Sequence, residues 1–400
     1  MSNRLVFRVP LRFFLFATCV TSVVQMFLYG VDSEMASIEA MEVDKVLPSR
    51  HHPGIEQFPV EHVPMFICLG FDDNGVADVE NNGGASWIRN YLKDRRNPEG
   101  LGNLATYDGS LMRASFYMTA KYCREDVYES KEAIRKVWKQ LYHDGHEIGN
   151  HSTVHLMEWD DVNQRAINYN GKSYSTEDWI EKEILPCQEW LTSEVIGVDA
   201  KDIKGWRSPR LEWNANLFPA LVKHGFLYDC SIESDFENDG TSVYWPFTLD
   251  EGHPLQSDVP VVKGFWEMPA YAFHIPQALR GKTANEASVT GLDYNVWIKK
   301  EWGGYELTGP EFTDILIYTL DQRMAGNRAP MLIGLHSDIY TDLHGKNEEY
   351  CGTKSARERQ LAIEDFIEYA IHTYPDAVRI VPTIAVIEWM RNPQPLHVVE

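Results

Sequence analysis

Two histidines four residues apart and a pair of adjacent aspartates have the residue types of a hydrolytic metal site. His151 and His155 stand in the string HSTVH, and Asp72 and Asp73 stand in FDD. Residues four apart on a helical turn point the same way, so both imidazoles could hold one ion. Two histidines and one aspartate leave a coordination position open for water, and the second aspartate then remains as a base. The pattern predicts metal-assisted hydrolysis, in which a carboxylate base and a metal-bound water act together.

Further ionisable residues lie where apolar segments end. Arg207 closes KGWR, Asp229 lies near the end of FLYDC, and His336 ends MLIGLH. Barrel enzymes place their active sites at the carboxyl-terminal ends of their strands. We therefore expect these side chains to approach the aspartate and histidine pairs.

The elements that must position these residues alternate along the chain. From Val63 onward, short apolar runs are separated by longer amphipathic stretches, which is typical of βα units around a parallel sheet or barrel. The predicted strands are 65–71, 114–118, 146–149, 204–207, 226–230, 265–268, 331–336 and 378–381. The predicted helices are 86–95, 131–143, 176–194, 214–223, 311–324, 354–374 and 383–391. The pattern predicts an α/β fold, a barrel of about seven to eight strands, in a single catalytic domain that spans residues 63–400.

Two segments precede this domain. Residues 1–30 begin with Arg4, Arg8 and Arg12 and continue into an apolar run at 13–29. This order is typical of an export signal, and the run has a length between that of a signal peptide and that of a membrane anchor. We expect an exported protein, secreted or periplasmic, whose leader is either removed or kept as an anchor. Residues 31–62 are acidic and irregular and are predicted to be a linker or an N-terminal strap.

Composition and charge exclude several classes of protein. The 400 residues are 44% hydrophobic and 24% charged, which suits an ordinary folded core. The chain carries 59 Asp and Glu against 37 Lys and Arg, a net charge of −22. Such a surface repels phosphate backbones, so nucleic acid is not expected as a partner. A neutral polymer fits this charge better than an anionic one.

Four strings, FDD, HSTVH, RSPR and LIGLH, occur in an order that resembles the motifs of the polysaccharide deacetylases (NodB-homology, carbohydrate esterase family 4). The resemblance extends over about residues 64–390. The strings RRNPEG, ASFYMTAKY, WPFTLD, GFWEMP and APMLIGLH are similar to the chitin deacetylase-like branch. The resemblance implies a distorted (β/α) barrel that removes N-acetyl groups from a GlcNAc-containing glycan, such as a chitin oligomer or peptidoglycan, and releases acetate.

The resemblance also implies a role for each motif residue. Asp73, His151 and His155 would bind the metal, with zinc as the default and cobalt or nickel as alternatives. Asp72 would be the base, held by Arg207. His336 would protonate the leaving amine, and the backbone N–H near Arg210 would stabilise the oxyanion.

Other residues are expected to support or to bind the substrate. The fourth family motif, an Asp followed by a Trp, is matched by Asp229 and Trp245. We predict that Trp245, Trp266 and Tyr271 stack on sugar rings, since an aromatic ring matches the apolar face of a pyranose. Asp338 could orient a neighbouring histidine.

Two other functions are compatible with the same residues. One is a small-molecule amide hydrolase on the same fold, and the other is a carbohydrate-binding protein without catalysis. Ester-linked acetyl groups, as on acetylxylan, are also possible substrates.

Overall fold

The computed structural model describes residues 44–160, 165–234, 243–343, 349–352 and 355–397. The leader predicted at 1–30, and the part of the predicted strap at 31–43, lie outside the described residues. Within the described ranges, no helix combines the length and the apolar character needed to cross a membrane. The five cysteines in these ranges are buried free thiols.

The strands are short, apart from the one that begins the barrel. In chain order they are β1 (Met65–Asp72), β2 (Ser115–Met118), β3 (Glu147–Asn150), β4 (Met157–Asp160), β5 (Arg165–Asn168), β6 (Gly205–Trp206), β7 (Tyr228–Asp229), β8 (Phe247–Thr248), β9 (Trp266–Glu267), β10 (Phe273–His274), β11 (Ser288–Val289), β12 (Met331–His336) and β13 (Val378–Ile380). Every residue of β1 is buried, as expected for a strand that is covered on both faces.

Nine of these strands form one sheet, in the order β12, β1, β2, β3, β6, β7, β9, β8, with β13 paired to the first half of β1. All pairs are parallel except β8 with β9, which is antiparallel. Each of the eight predicted strands is in this sheet, and β8 is an additional one. The predicted α/β class and distorted barrel are confirmed; the distortion comes from β6 to β9, which have two residues each.

Helices cover the outer face of the sheet. They are α1 (Gly84–Leu92), α2 (Ala120–Arg124), α3 (Lys131–His143), α4 (Thr176–Asp178), α5 (Leu185–Thr192), α6 (Leu217–Lys223), α7 (Asp293–Trp297), α8 (Gly309–Ala325), α9 (Ala356–Thr373) and α10 (Thr383–Arg391). A π-helical segment, Trp179–Ile184, joins α4 to α5. The larger buried cluster lies between these helices and the sheet and includes Ile88, Val137 and Phe366.

A second buried cluster fills the inside of the barrel. It contains alternate strand residues such as Phe66 and Cys68, as the two-residue period of a strand requires, together with residues of α10. Thr383, the first residue of α10, accepts a hydrogen bond from the Tyr117 hydroxyl at 3.2 Å. The helix therefore closes the amino-terminal end of the barrel and leaves the carboxyl-terminal end for the site.

The described part of the predicted strap lies against the edge of the sheet. Thr248 N–H donates to Val46 O at 2.7 Å, and Trp245 N–H donates to Ser49 O at 2.9 Å. Asp44 accepts a hydrogen bond from Trp266 Nε1 at 2.8 Å. This segment pairs with backbone groups on the open edge of β8, which would otherwise be without hydrogen-bond partners.

Candidate functional site

The candidate site is built where β1, β3, β6 and β12 end. In the parallel pair β1 and β12, the last residues Asp72 and His336 lie opposite each other. β3 pairs with β6 through Asn150 and Trp206, so the residues that follow them emerge side by side. The carboxyl ends of parallel strands meet at one edge, which brings distant parts of the sequence together.

Three side chains at this end form a cluster of metal-binding type. One ligand atom each from Asp73, His151 and His155 lies within 4.8 Å of the others. His155 Nε2 is 3.7 Å from Asp73 Oδ1, and the two imidazole centroids are 5.2 Å apart. This two-nitrogen, one-oxygen donor set is one that divalent transition metals accept.

A non-helical turn brings the two histidines together. The prediction of a helical turn from their spacing is wrong. Residues 151–156 contain no helix. Ser152 and His155 instead have φ values of 83° and 58°, in the left-handed region that non-glycine residues rarely adopt. Asp73 has a φ of 63° as well. Such strained conformations concentrate at functional sites, where the surrounding structure holds them.

The protonation of these ligands suits a metal ion. His151 Nδ1 donates to the Arg207 carbonyl at 2.8 Å, while its Nε2 is buried without a hydrogen-bond partner. A buried nitrogen with a free lone pair is costly unless a ligand occupies it. Burial lowers the pKa of His155 to about 4, so its imidazole is neutral at pH 7. The residues present therefore fit a divalent metal.

Asp73 stays ionised in spite of its surroundings. Burial raises the pKa of its carboxyl, but the electrostatic interactions with His155, His151 and His336 and the hydrogen bond from Thr119 outweigh it, so the pKa lies below its ordinary value. The Thr119 hydroxyl donates to Asp73 Oδ1 at 2.9 Å. A deprotonated carboxylate is the form that binds a metal.

A buried ion pair holds the second aspartate. Arg207 Nη1 lies 3.0 Å from Asp72 Oδ1, and each side chain is 3% exposed. The guanidinium also lies 4.4 Å from the centre of the Tyr117 ring. A Cβ on Gly70 would come within 2.9 Å of Arg207 Nη1, so only glycine leaves room for this pair.

A second aspartate–histidine pair lies across from the first. His336 Nδ1 is 2.7 Å from Asp293 Oδ1, and the His336 backbone N–H donates to Asp293 Oδ2 at 3.1 Å. Burial alone would lower the pKa of His336, but the carboxylates of Asp293, Asp72 and Asp73 raise it to about 10. The imidazole is therefore protonated at neutral pH.

Asp293 is the clearest residue that sequence reasoning missed. It stands at the start of α7. The residue before it, Leu292, forms a single bridge to Gly334 of β12, so Asp293 does not follow an apolar strand that sequence analysis could detect. The motif match to Asp229 points to the wrong carboxylate, since Asp229 is fully buried and bonds the hydroxyl and N–H of Ser231 at 2.6 and 3.0 Å.

Glu183 was also missed, although it supports the turn between the two histidines. Its Oε2 accepts hydrogen bonds from Thr153 N–H at 3.1 Å and Val154 N–H at 3.3 Å. Burial raises the pKa of Glu183 to about 7. The residue lies in the π-helical segment, and such distortions often occur at functional sites.

Comparison with known families decides the assignment. Residues 94–228 match the family model described as polysaccharide deacetylase. This segment of the chain is similar to the polysaccharide deacetylases. The resemblance to NodB-homology, carbohydrate esterase family 4 proteins that the motifs indicate is confirmed. The matched segment contains His151, His155 and Arg207. A comparison with curated proteins found no match.

Solved structures that match this chain include two deacetylases and a CE4 domain. A protein from Mycobacterium smegmatis assigned to the polysaccharide deacetylases is 16% identical, with a TM-score of 0.47, over 90% of this chain and 99% of that one. The Xyl-CE4 domain of a xylanase from the hindgut metagenome of Trinervitermes trinervoides is 11% identical, with a TM-score of 0.37, over 84% and 96%. A peptidoglycan N-acetylglucosamine deacetylase is 12% identical, with a TM-score of 0.38, over 81% and 89%.

Arg210 stands at the rim of the candidate site. It has a φ of 56° within the turn Pro209–Leu211, and its positive charge contributes to lowering the pKa of His155. The turn places the residue beside the metal-binding cluster, and the side chain is exposed. Its backbone N–H as oxyanion donor stays a prediction.

The aromatic residues predicted to bind sugar are in the core of the barrel, and that prediction is wrong. Trp245, Trp266 and Tyr271 are 1%, 0% and 1% exposed. Trp245 Nε1 donates to Asn327 O at 3.2 Å, and the Tyr271 hydroxyl donates to Tyr244 O at 2.7 Å. Their rings pack inside the barrel, so a glycan cannot reach them.

Proposed function

We propose that the chain is an exported, metal-dependent hydrolase that removes N-acetyl groups from a GlcNAc-containing glycan, with a chitin-like polymer as the favoured substrate. The observation that carries the proposal is the cluster of Asp73, His151 and His155 between two aspartate-paired cations, Arg207 and His336. Each group needed for amide hydrolysis has a candidate in this cluster.

Asp73, His151 and His155 would hold the ion, which is zinc by default and cobalt or nickel as alternatives. A bound divalent ion supplies a Lewis acid, which lowers the pKa of a coordinated water to about 7 and polarises a carbonyl. Asp73 is ionised and His155 is neutral, so neither must lose a proton to bind the ion.

Asp72 is the general base in this mechanism. Its Oδ1 is engaged by Arg207 at 3.0 Å, which fixes the carboxylate and directs Oδ2 to the attacking water. The base accepts one proton from the water as the C–O bond forms. The Arg207 guanidinium has no proton to lose at working pH, so it acts through Asp72 and does not exchange protons itself.

His336 is the general acid. Nδ1–H donates to Asp293, so Nε2–H is the proton directed at the leaving nitrogen. When the C–N bond breaks, His336 gives this proton to the amine, and the products are acetate and a free amino sugar. The backbone N–H near Arg210 stabilises the negative charge on the carbonyl oxygen.

The charge of the chain supports the choice of substrate. A net charge of −22 repels anionic polymers but does not repel an uncharged chitin chain. Peptidoglycan and acetylxylan remain in the test as competing substrates. The export of the protein is supported by the basic start and the apolar run of residues 1–30.

The test is acetate release by the chain from chitin oligomers, peptidoglycan and acetylxylan. The reactions contain added zinc or a chelator, with the Asp72→Asn variant as control. We expect zinc-dependent release, highest with chitin oligomers and lost in the variant. Release from a small acetamide but from no glycan would favour the small-molecule hydrolase, and glycan binding without release would favour the binding protein.

A further inference from the structure

One buried carboxylate, which the mechanism does not use, holds the turn that carries the two metal-binding histidines. Glu183 Oε2 accepts hydrogen bonds from Thr153 N–H at 3.1 Å and from Val154 N–H at 3.3 Å. Glu183 is 0% exposed. Burial of a carboxylate costs free energy, and the donors that offset this cost belong to the backbone between His151 and His155.

The π-helical segment that contains Glu183 also bonds the turn through its backbone. Thr153 Oγ1 donates to the Glu183 carbonyl at 3.0 Å, and Asn150 Nδ2 donates to the Ile184 carbonyl at 3.1 Å. A π-helical turn interrupts the regular hydrogen bonding of an α-helix. Here two consecutive carbonyls and one carboxylate of the segment are bonded to the turn, so the distortion joins the two segments at several points.

These contacts extend to the backbone of His155. His155 N–H donates to Ser152 Oγ at 2.9 Å, and Ser152 N–H donates to Asn150 Oδ1 at 2.8 Å. The Ser152 hydroxyl also interacts with the Glu183 carboxylate and lowers its pKa, against the effect of burial. Ser152 and His155 both have positive φ, a conformation that persists only where neighbouring groups fix it. Glu183 is bonded to the part of the turn between them.

We infer that Glu183 is a positioning residue for the metal: it holds the turn at 151–156 so that His155 faces the other two ligands. The inference rests on the proposed function, and it adds a residue outside the matching motifs that sets how tightly the ion is bound. Successive N–H groups that converge on one oxygen form an anion-binding concavity, and this carboxylate fills it from within the protein. Without the carboxylate both N–H groups lose their acceptor, and the strained backbone is free to relax.

The test compares Glu183→Ala and Glu183→Gln with Glu147→Ala, in the full-length protein. Glu147 is the matched control, because it is also a buried carboxylate that accepts bonds from hydroxyl and N–H groups, at the amino-terminal end of the barrel. Zinc affinity is measured by calorimetry on metal-free protein. The visible absorption spectrum of the cobalt-loaded protein reports the ligand geometry, and denaturant titration with chelator present gives the free energy of unfolding. None of these measurements needs turnover.

We expect Glu183→Ala to bind zinc about 10- to 100-fold more weakly than the wild type and to change the cobalt spectrum. Glu183→Gln is about threefold weaker than the wild type, since an amide oxygen accepts the same two N–H groups but a neutral acceptor forms weaker hydrogen bonds. Glu147→Ala lowers the free energy of unfolding of the metal-free protein, yet keeps the zinc affinity and the cobalt spectrum of the wild type. These results support the positioning role.

Other results overturn it. Wild-type zinc affinity and an unchanged cobalt spectrum in Glu183→Ala overturn the positioning role and leave the deacetylase intact. An equal loss of zinc affinity in Glu147→Ala attributes the effect to general destabilisation and overturns the role as well. If Glu183→Ala does not fold, Glu183→Gln decides, and wild-type zinc affinity in that variant overturns the inference.

A comparison with acetate release separates the inference from the proposed function. Zinc binding that depends on Glu183, without acetate release from any glycan by the wild type, keeps the positioning role and overturns the deacetylase. Absence of zinc binding by the wild type overturns both.

Discussion

The two ends of the barrel use buried polar groups in opposite ways. At the amino-terminal end, the Glu147 carboxylate accepts hydrogen bonds from Ser115 Oγ at 2.7 Å, Tyr228 OH at 2.7 Å and Ile384 N–H at 3.1 Å. At the carboxyl-terminal end, His151 Nε2 is buried with no partner in the protein. The Glu147 carboxylate at one end is satisfied by the fold, and the His151 nitrogen at the other end is left for a ligand.

The backbone shows the same contrast. Fourteen non-glycine residues in the described ranges have positive φ, and nine of them follow β1, β3 or β6 at the carboxyl-terminal end. These nine are Asp73, Asn74, Asp78, Asn82, Ser152, His155, Leu156, Arg210 and Leu211. Conformations of this kind cost free energy, and they persist where the rest of the structure fixes them. The comparison teaches that the amino-terminal end stabilises the fold and the carboxyl-terminal end holds the proposed site, and matched substitutions can separate the two.

The largest expected effect comes from the catalytic end. In His336→Gln the leaving amine has no proton donor, so acetate release falls by about 10²- to 10⁴-fold. The free energy of unfolding changes little, because His336 contributes to the site more than to the core. Acetate release and thermal unfolding are measured on the same preparation. Activity within a few-fold of the wild type would remove His336 from the mechanism.

Asp108→Ala tests the amino-terminal end, where the expected effect is on stability and not on activity. Asp108 and Arg379 form an ion pair in which both side chains are fully buried, and Asp108 also accepts N–H bonds from Leu101 and Asn103 at 3.0 Å. The variant leaves the guanidinium uncompensated, so we expect the free energy of unfolding to fall by about 3–5 kcal/mol. Denaturant titration measures it. The kcat/KM per folded molecule stays at the wild-type value, and a loss of it equal to that of His336→Gln would contradict the division between the two ends.

Asp293→Asn tests whether Asp293 keeps His336, the proposed general acid, protonated. The Asp293 carboxylate is the main reason that the pKa of His336 is raised to about 10 against the effect of burial. The acid form exists below that pKa and is lost as pH rises through it. With a neutral partner the pKa falls, so the alkaline limb of kcat/KM moves to lower pH, and the rate at neutral pH drops about tenfold.

The matched control for this change is Asp338→Asn, which removes another buried carboxylate two residues after His336. Burial raises the pKa of Asp338 to about 6. A pH profile that moves more with Asp338→Asn than with Asp293→Asn would assign the orienting role to Asp338.

The smallest expected effect is at His146, a buried histidine at the amino-terminal end. Burial lowers the pKa of His146 to about 3, below its ordinary value, and its Nδ1 accepts the Ala114 N–H at 3.1 Å. The unfolded chain takes up a proton below about pH 6.5 that the folded chain refuses, so stability is lost as pH falls from there toward 3. The slope is about 1.4 kcal/mol per pH unit. Denaturant titrations of the wild type and His146→Gln at pH 7 and 5 measure it, and equal losses in both would show that His146 is not the cause.

The main sheet was predictable because its signal is local. Runs such as 65–71 and 331–336 are continuously apolar, so each element is visible without knowledge of its neighbours. The site residues were predictable for a related reason, since Asp72 and His336 directly end such runs. β8 was missed because it is an antiparallel edge strand, which an alternation of parallel βα units does not predict.

The remaining errors concern long-range contacts and orientation. The pairing of Asp293 with His336 joins residues 43 apart in sequence without a strand to announce it. The burial of Trp266 depends on which face of a two-residue strand is turned inward, and an aromatic residue has the same pattern in a core and in a groove.

The most direct test of the central claim is a zinc titration followed by calorimetry. Zinc is added to metal-free wild type, to His155→Ala and to His146→Gln, which changes a histidine at the amino-terminal end. The account predicts one equivalent bound by the wild type and by His146→Gln, and affinity at least about 100-fold weaker in His155→Ala. Equal affinity in all three proteins, or no binding by the wild type, would contradict a metal site formed by Asp73, His151 and His155.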